Sequence, residues 1–159
     1  MNKSQAIMNS LIFEDLRGIE VKKVEEIAFL RSYEAGDIIF KEGDPADAFC
    51  IIANGEVEIL GLAPDGAHFE KLASLKEGNL VGEVAIFDNY ARSATVRAVS
   101  KTVLLVVYKT DFFKLLLECP SAGVKALLRI CRLFSLRLRK ANASYISVVS
   151  EYRKAFGKN

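Results

Sequence analysis

Short apolar runs separated by tight-turn pairs fill the middle of the sequence, and they constrain the fold more than any other feature. Between residues 36 and 108 the runs GDIIF, AFCIIANG, EVEILGL, NLVGEV, SATVRAVS and TVLLVVY each contain only a few apolar residues. Gly-Asp, Asn-Gly and Asp-Gly pairs separate several of these runs, and such pairs favour tight turns. Asn54-Gly55 is the strongest hairpin signal. Many short strands without a long helix between them are typical of an antiparallel sandwich or small barrel.

Helical periodicity appears on both sides of this β-rich segment. Residues 10–30 carry apolar side chains near a 3.6-residue period, and so do TDFFKLLLE and VKALLRICRLFSLRLRKA further on. Pro120 ends the first of these two C-terminal helices, and the second is predicted to start near Ser121. In the second helix, one apolar seam passes through Val124, Leu128, Cys131, Ser135 and Leu138. Such a helix can pack on the barrel on one side and on a partner helix on another.

These patterns together predict one domain of a mainly β class with flanking helices. We expect a small antiparallel β-barrel or jelly roll with N-terminal helices and a C-terminal lid helix. The expected segments are helices over 1–35, the barrel over 36–109, and C-terminal helices with a basic tail over 110–159. The tail ASYISVVSEYRKAFGKN is rich in serine and β-branched residues, which makes it poor helix material.

Composition is that of a soluble globular protein, and the cysteines indicate the cytoplasm. Apolar residues make up 51% of the chain and charged residues 26%. The apolar runs are far shorter than the ~20 residues that a membrane span needs. The N-terminus lacks the apolar region of a secretory signal. Cys50, Cys119 and Cys131 are odd in number and lack CxxC spacing, so reduced thiols in the cytoplasm are expected.

The net charge of +2 conceals an uneven distribution. From Lys125 to the end there are nine basic residues and one acidic residue, a balance of +8, whereas the preceding residues carry a balance of −6. The C-terminal segment is therefore a separate basic element, which is usually a solvated helix face. The alternative is that Arg132, Arg137, Arg139 and Lys140 bind nucleic-acid phosphates.

The segment GEVAIFDNYARSATV, residues 82–96, combines two charges with many small residues. Glu83 and Arg92 lie within it, and Gly82, Ala85, Ala91, Ser93 and Ala94 surround them. A buried strand would avoid the charges, and a solvated loop would not need so many small side chains. Small residues allow close approach to the backbone, so this segment predicts a contact with another group.

This segment with its continuation, GEVAIFDNYARSATVRA, resembles the phosphate-binding cassette of cyclic nucleotide-binding domains. The family pattern is G-E-[LI]-A-L, followed after a few residues by P-R-[AST]-A-[TSW]-V. The run AGDIIFKEGDPADAFCIIANGEVEIL is similar to the opening strands of that family, and the flanking helices fall where the family has them. The resemblance covers about residues 10–140 and implies that the ligand is cAMP or cGMP. Neither a metal nor a further cofactor is expected.

The resemblance implies a set of ligand-binding residues in the cassette, residues 82–96. They are Gly82, Glu83, Val84, Ala85, Arg92, Ser93, Ala94 and Thr95. Arg92 can offer a forked, permanent cation to two phosphate oxygens. Glu83 would repel a phosphate, so it is expected to accept the ribose 2′-hydroxyl. Gly82 and Ala85 permit close approach of the phosphate to backbone N–H groups at the start of a short helix.

The base preference depends on Ser93, which can contact the phosphate or a guanine amino group. In the family, serine at this position is found in the bacterial catabolite activator protein, which binds an adenine nucleotide. We therefore expect cAMP before cGMP.

The sequence departs from the family pattern at two positions, Val81 and Ala91, where the family has an aromatic residue and proline. Both changes are expected to loosen the cassette without removing a ligand group. The alternative to ligand binding is a Glu83–Arg92 ion pair in a vestigial cassette that serves as an interaction or dimerisation module. Because a buried ion pair is rarely more stable than apolar packing, binding is the favoured hypothesis.

The resemblance also implies how a signal would leave the domain. In the family, the helix after the barrel moves as a lid and often pairs with its copy, so we expect a homodimer through this helix. Arg129, Arg132 or Tyr145 could cap the purine, and the sequence does not choose among them. The roughly 20 residues after the lid helix are too few for a three-helix DNA-binding domain of the helix-turn-helix type. We expect either a free-standing sensor that acts on an effector protein in trans or a piece of a larger protein.

An enzyme is not expected. His68 is the only histidine, so a metal centre built on several histidines is excluded, and no Ser-His-Asp or Cys-His nucleophile set is possible beyond this one residue. The sequence offers no candidate catalytic residue.

Overall fold

In the computed structural model, which describes residues 2–63, 65–87 and 90–157, two four-stranded antiparallel sheets are flanked by helices. This arrangement confirms the predicted mainly β class. The elements are α1 (Lys3–Met8), α2 (Ile19–Ile27), β1 (Ala28–Tyr33), β2 (Ile38–Phe40), β3 (Ala48–Asn54), β4 (Glu56–Leu62), β5 (Phe69–Lys76), β6 (Leu80–Val81), α3 (Val84–Phe87), β7 (Thr95–Ala98), β8 (Thr102–Tyr108), α4 (Lys109–Glu118) and α5 (Pro120–Phe156).

The two sheets pack on each other through one apolar layer, and the helices cover the outer face of the first sheet. The strand orders are β1-β8-β3-β6 and β2-β7-β4-β5. Side chains alternate along a strand, so Cys50 and Ile52 of β3 lie between the sheets while Phe49 packs under the helices. Phe112 of α4 meets Phe49 edge to face, with ring centroids 5.3 Å apart. Burial on both faces explains the continuous apolar sequence of β3.

The predicted hairpin at Asn54-Gly55 is wrong, although the turn is present. β3 pairs with β6 and β8, whereas β4 pairs with β5 and β7, so the turn carries the chain from one sheet to the other. A Cβ at Gly55 would lie 2.7 Å from the Lys101 carbonyl oxygen, and its φ is +95°. The sequence specified a tight turn there, but the choice of partner strand depends on the rest of the sheet. The hairpin of this region is β4–β5, with Asp65 and Gly66 in its turn.

The N-terminal helices end earlier than the sequence predicts. Residues 28–33 form strand β1 rather than helix, and Phe29 pairs with Val106 of β8. Ala28 and Leu30 fit a helical period locally, but pairing with an apolar strand decides the conformation. The division into segments 1–35, 36–109 and 110–159 stays a prediction.

Helix α5 is longer than predicted, because the tail is helical as far as Phe156 and the helix has 37 residues. The serine and β-branched residues cost only tenths of a kcal/mol each. Extending an existing helix is much easier than nucleating one, so the tail continues it. At about 1.5 Å per residue the helix is ~55 Å long. Every residue from 141 to 156 is exposed except Val149, which is half-buried.

The first half of α5 is held on the domain by small residues and by ion pairs. Ala122, Gly123 and Ala126 are buried, and a Cβ at Gly123 would lie 2.6 Å from a methyl carbon of Leu116 in α4. The uneven charge distribution also has a structural role here. Lys125 pairs with Glu20 at 2.8 Å, and Arg129 pairs with Glu14 at 2.6 Å and Asp15 at 2.7 Å.

Candidate ligand-binding site

The cassette begins where the chain leaves β6 and turns into α3. Gly82 makes this turn with a φ of +76°, and a Cβ on it would lie 2.6 Å from Nη1 of Arg92. The glycine is therefore required both by its backbone conformation and by the approach of Arg92. Asp88 and Asn89 lie outside the described residues, and the chain returns through residues 90–94 to β7.

Arg92 is a buried cation, with 8% of its surface exposed. Its Nη1 donates to the Gly82 carbonyl at 3.2 Å, and its guanidinium lies 4.2 Å from the ring centroid of Phe40. Its Nε is buried without a hydrogen-bond partner. Within the described part of the chain no carboxylate forms an ion pair with it. Burial lowers the pKa of Arg92, and the neighbouring Asp47 and Asp44 carboxylates act in the opposite direction.

The backbone fixes the position of Arg92. Its N–H donates to the Asp44 carbonyl and its carbonyl accepts the N–H of Gly43, both at 2.9 Å. The turn between β2 and β3 thus anchors the backbone of Arg92 shortly before β7 begins.

Glu83 is more buried than Arg92, with 2% of its surface exposed, and its partner comes from α5. Nη1 of Arg137 donates to Oε1 of Glu83, and Nη2 of Arg137 donates to the Leu80 carbonyl at 2.8 Å. The Glu83–Arg92 pair considered as the alternative to ligand binding is therefore not the arrangement of these charges. The two charged side chains have different partners. Glu83 pairs with Arg137 of the long C-terminal helix, and Arg92 contacts the ring of Phe40 and the Gly82 carbonyl.

Glu83 and Arg92 line one cavity of about 540 Å³ between the second sheet, the cassette and α5. The volume lies within the range of small-molecule sites. Among the predicted site residues, the cavity wall includes Gly82, Glu83, Val84, Arg92, Ser93 and Ala94. Thr95 is buried outside this wall, where its hydroxyl oxygen accepts the N–H of Glu42 at 3.0 Å. Ala85 lies in α3, but its side chain is outside what the structure describes.

The part of α5 that borders the cavity differs from the sequence prediction. The lining residues are Leu133, Leu136, Arg137 and Lys140. The suggested purine caps lie elsewhere: Arg129 is paired with Glu14 and Asp15, and both Arg132 and Tyr145 are exposed away from the cavity. The i, i+3, i+4, i+7 spacing of the lining residues was a signal that could have identified this face.

The opposite face of α5 carries a second pattern. Its residues follow alternating steps of four and three: Val124, Leu128, Cys131, Ser135, Leu138, Asn142, Tyr145, Val149, Tyr152 and Phe156. At about 100° per residue this row, here called the seam, lies roughly 180° from the cavity face near residue 137. All ten residues are exposed or, for Val149, half-buried.

The described residues offer few candidates for a metal-binding or catalytic site. The imidazole of His68 is exposed in the β4–β5 turn beside Asp65 and Glu70. Across the described ranges no cluster of His, Cys, Asp and Glu is suited to a metal ion. The three cysteines are free thiols. None of the helices described here combines the length and apolarity needed to cross a membrane.

Comparisons with known proteins agree with this geometry. The family model of the cyclic nucleotide-binding domain matches residues 30–119. The chain is 31% identical over 133 residues to the cyclic AMP receptor protein of Thermus thermophilus, which covers 84% of this chain and 59% of that protein. It is 32% identical over 105 residues to the cAMP-dependent protein kinase regulatory subunit of Yarrowia lipolytica, covering 66% of this chain and 27% of that protein. The matched part of the chain thus spans about three fifths of the first relative and about a quarter of the second.

A solved structure shows the same fold. A cyclic nucleotide-binding domain from Methylobacillus flagellatus superposes with a TM-score of 0.81 at 25% sequence identity, covering 93% of this chain and 83% of that chain. The family match spans 90 of the 159 residues. This chain therefore belongs to the cyclic nucleotide-binding domain family.

Proposed function

We propose that the chain is a non-enzymatic sensor that binds cAMP, with cGMP as the second choice, in the cavity between the cassette and α5. The observation that carries this proposal is the state of Arg92. A buried guanidinium without a carboxylate partner and with an unsatisfied Nε is costly, and a ligand phosphate would supply both the charge and the acceptor.

The remaining proposed ligand contacts follow from position and chemistry. Glu83 accepts the ribose 2′-hydroxyl, since the carboxylate lines the same cavity as Arg92. Gly82 and Ala94 are small and line the cavity, so they leave room for the phosphate, and Val84 lines the cavity beside them. Ala85 stays a predicted site residue. Ser93 is exposed at the cavity wall and offers a hydroxyl to the phosphate. Thr95 supports the strand behind Arg92 through its bond with Glu42.

The preference for cAMP is supported by Ser93 and by the names of the two relatives, both of which refer to cAMP. We further propose that the protein acts in the cytoplasm and passes its state to an effector protein in trans.

The first experiment is a thermal-melt titration with cAMP, cGMP and 5′-AMP. A ligand at 100 times its dissociation constant adds about 2.7 kcal/mol, a shift of a few degrees for a domain of this size. We expect cAMP to raise the melting temperature most and 5′-AMP to have no effect. No shift with any nucleotide would favour the interaction-module alternative.

One variant and its control test whether the cassette binds the nucleotide. Arg92→Ala is expected to abolish the shift, while Arg97→Ala is the matched control because Arg97 lies in the adjoining strand and pairs with Glu58 outside the cavity. If Arg92→Ala retains wild-type affinity, the phosphate role of Arg92 is wrong.

The exposed seam supports a second part of the proposal, a homodimer formed by α5. Its steps of four and three are those of a coiled coil, with Asn142 at an a position, where a polar residue fixes register in parallel dimers. In a parallel pair Cys131 would face its own copy, whereas an antiparallel pair would place it near the other end of the seam. Movement of the cavity face of α5 would then be passed to the seam on its opposite face.

Oxidative cross-linking tests this arrangement. Copper phenanthroline is expected to convert the wild type to a disulfide-linked dimer. Each thiol gives one electron to Cu(II) and releases one proton to the solvent. Cys131→Ser should stay monomeric on a non-reducing gel, and Cys119→Ser serves as the control. Cross-linking that survives in Cys131→Ser would contradict the parallel register.

A gel shift with DNA at two salt concentrations tests the nucleic-acid alternative, which predicts binding that weakens steeply with salt.

A further inference from the structure

Arg137 is the point at which α5 touches the polar part of the site. Its two terminal nitrogens donate to different partners, the Leu80 carbonyl at the end of β6 and the Glu83 carboxylate at the start of the cassette. The guanidinium fork is planar and rigid, so these two contacts determine where Oε1 of Glu83 lies.

The contact uses only part of the carboxylate. An ionised carboxylate offers two oxygens with about four acceptor positions, and Arg137 engages Oε1. Glu83 lines the cavity, so its remaining acceptor positions are the ones available to a ribose hydroxyl. Arg137 therefore orients the acceptor without consuming it.

The positive charge of Arg137 also makes Glu83 compatible with a bound nucleotide. A buried carboxylate without a partner would repel the phosphate of a nucleotide bound at Arg92, because both residues line the same cavity. Arg137 neutralises that carboxylate. Burial lowers the pKa of Arg137, but an arginine stays protonated in proteins.

The same region of α5 makes an apolar contact with the cassette. Phe134 packs edge to face on Phe87, with ring centroids 5.9 Å apart. Arg137 lies one turn further along the helix, so α5 holds both ends of the segment 83–87. If α5 moved away from the cassette, Glu83 would lose its orienting partner at the same time as Phe87 lost its ring contact.

We propose that Arg137 is a positioning residue for the ribose site, so that selection for a 2′-hydroxyl depends on α5 being docked against the cassette. This inference rests on the proposed function. It assigns the discrimination between a ribose and a 2′-deoxyribose to a helix residue that contacts Glu83 rather than to Glu83 alone. Conversely, a ligand with a 2′-hydroxyl stabilises the docked helix more than its deoxy analogue does.

The test is a comparison of dissociation constants for cAMP and 2′-deoxy-cAMP, measured by calorimetry on the full chain. A hydrogen bond to a charged acceptor corresponds to roughly a 10- to 100-fold preference for the ribose form in the wild type. In Arg137→Met the preference is expected to fall to about twofold or less, mainly through weaker binding of cAMP. Arg139→Met is the control, since Arg139 is exposed on the same helix and does not line the cavity; it should keep the wild-type preference.

Two results would overturn the proposal while leaving the sensor intact. If Arg137→Met weakens both nucleotides equally, Arg137 only supports the fold. If it tightens cAMP, Arg137 competes with the ribose for Glu83. A wild type that binds neither nucleotide would instead refute the proposed function itself. Should Arg137→Met fail to fold, Arg137→Lys is the second variant, because it retains the charge without the fork. Its preference for the ribose form is expected to be weaker than that of the wild type but not lost. An unchanged preference would contradict the proposal.

Discussion

The two halves of α5 share one continuous backbone but differ in what holds them. From Pro120 to about residue 140 the helix buries Ala122, Ala126 and Ile130 and makes ion pairs with the N-terminal residues. From 141 to 156 all but Val149 are exposed, including Tyr145, Tyr152 and Phe156. The docked half is stabilised by the core of the domain. The projecting half has apolar residues at coiled-coil spacing but no core to cover them, so the core of the domain adds little to its stability.

The largest expected effect is on the docked half. Ile130 has no exposed surface, so Ile130→Ala is expected to lower the free energy of unfolding by about 2–5 kcal/mol. Ile146→Ala, at a residue that is 66% exposed in the projecting half, should change it by less than about 0.5 kcal/mol. Urea unfolding at low protein concentration measures both. Equal losses in the two variants would show that the projecting half folds against the domain.

A smaller effect is expected on association. If α5 forms the proposed dimer, Tyr152→Ala removes a seam side chain and should weaken that dimer by about 1.5–3 kcal/mol per buried side chain, without changing the melting temperature of the monomer. Ser147→Ala on the opposite face of the helix is the control. Sedimentation equilibrium gives the dimer dissociation constant, and equal constants for Tyr152→Ala and Ser147→Ala would exclude the seam as the interface.

The sequence predicted the docked half and the cassette better than it predicted their contact. Short strands and the β-turn pairs are local patterns, so the mainly β class could be read in advance. Glu83 and Arg92 line one cavity, and their roles toward a ligand stay a prediction. Asn54-Gly55 marks a turn locally, but which strands pair across it depends on residues elsewhere in the sheet.

The contact of Arg137 with Glu83 is the part of the site that the sequence could not predict. Arg137 lies 54 positions from Glu83, and charge alone does not separate it from Arg132 or Arg139. The helical spacing places Arg137 on one face with Leu133 and Leu136, but it does not say what that face contacts. The role of Arg137 depends on where α5 lies against the cassette, which is a matter of tertiary packing, such as the close approach of Gly123 to Leu116 of α4. The helical tail was missed for a related reason. Propensity is a weak signal for residues that extend a helix already formed.

The smallest expected effect concerns the Glu20–Lys125 pair, which ties the docked half to α2. The hydrogen bond from Lys125 lowers the pKa of Glu20 below its ordinary value of 4.5, while burial acts in the opposite direction. Because the pKa is lower in the folded chain, the pair stabilises the fold above about pH 4.5 and the contribution is lost as the pH falls through the folded pKa. Glu20→Gln should therefore lower the free energy of unfolding by about 1 kcal/mol or less at pH 7, with the difference from the wild type shrinking on acidification.

Glu26→Gln is the control, since Glu26 pairs with Lys23 on an exposed helix face. Urea unfolding at pH 7 and at pH 3.5 measures both differences. A difference for Glu20→Gln that persists at low pH would mean that the amide perturbs packing, and that the docked half does not depend on this charge.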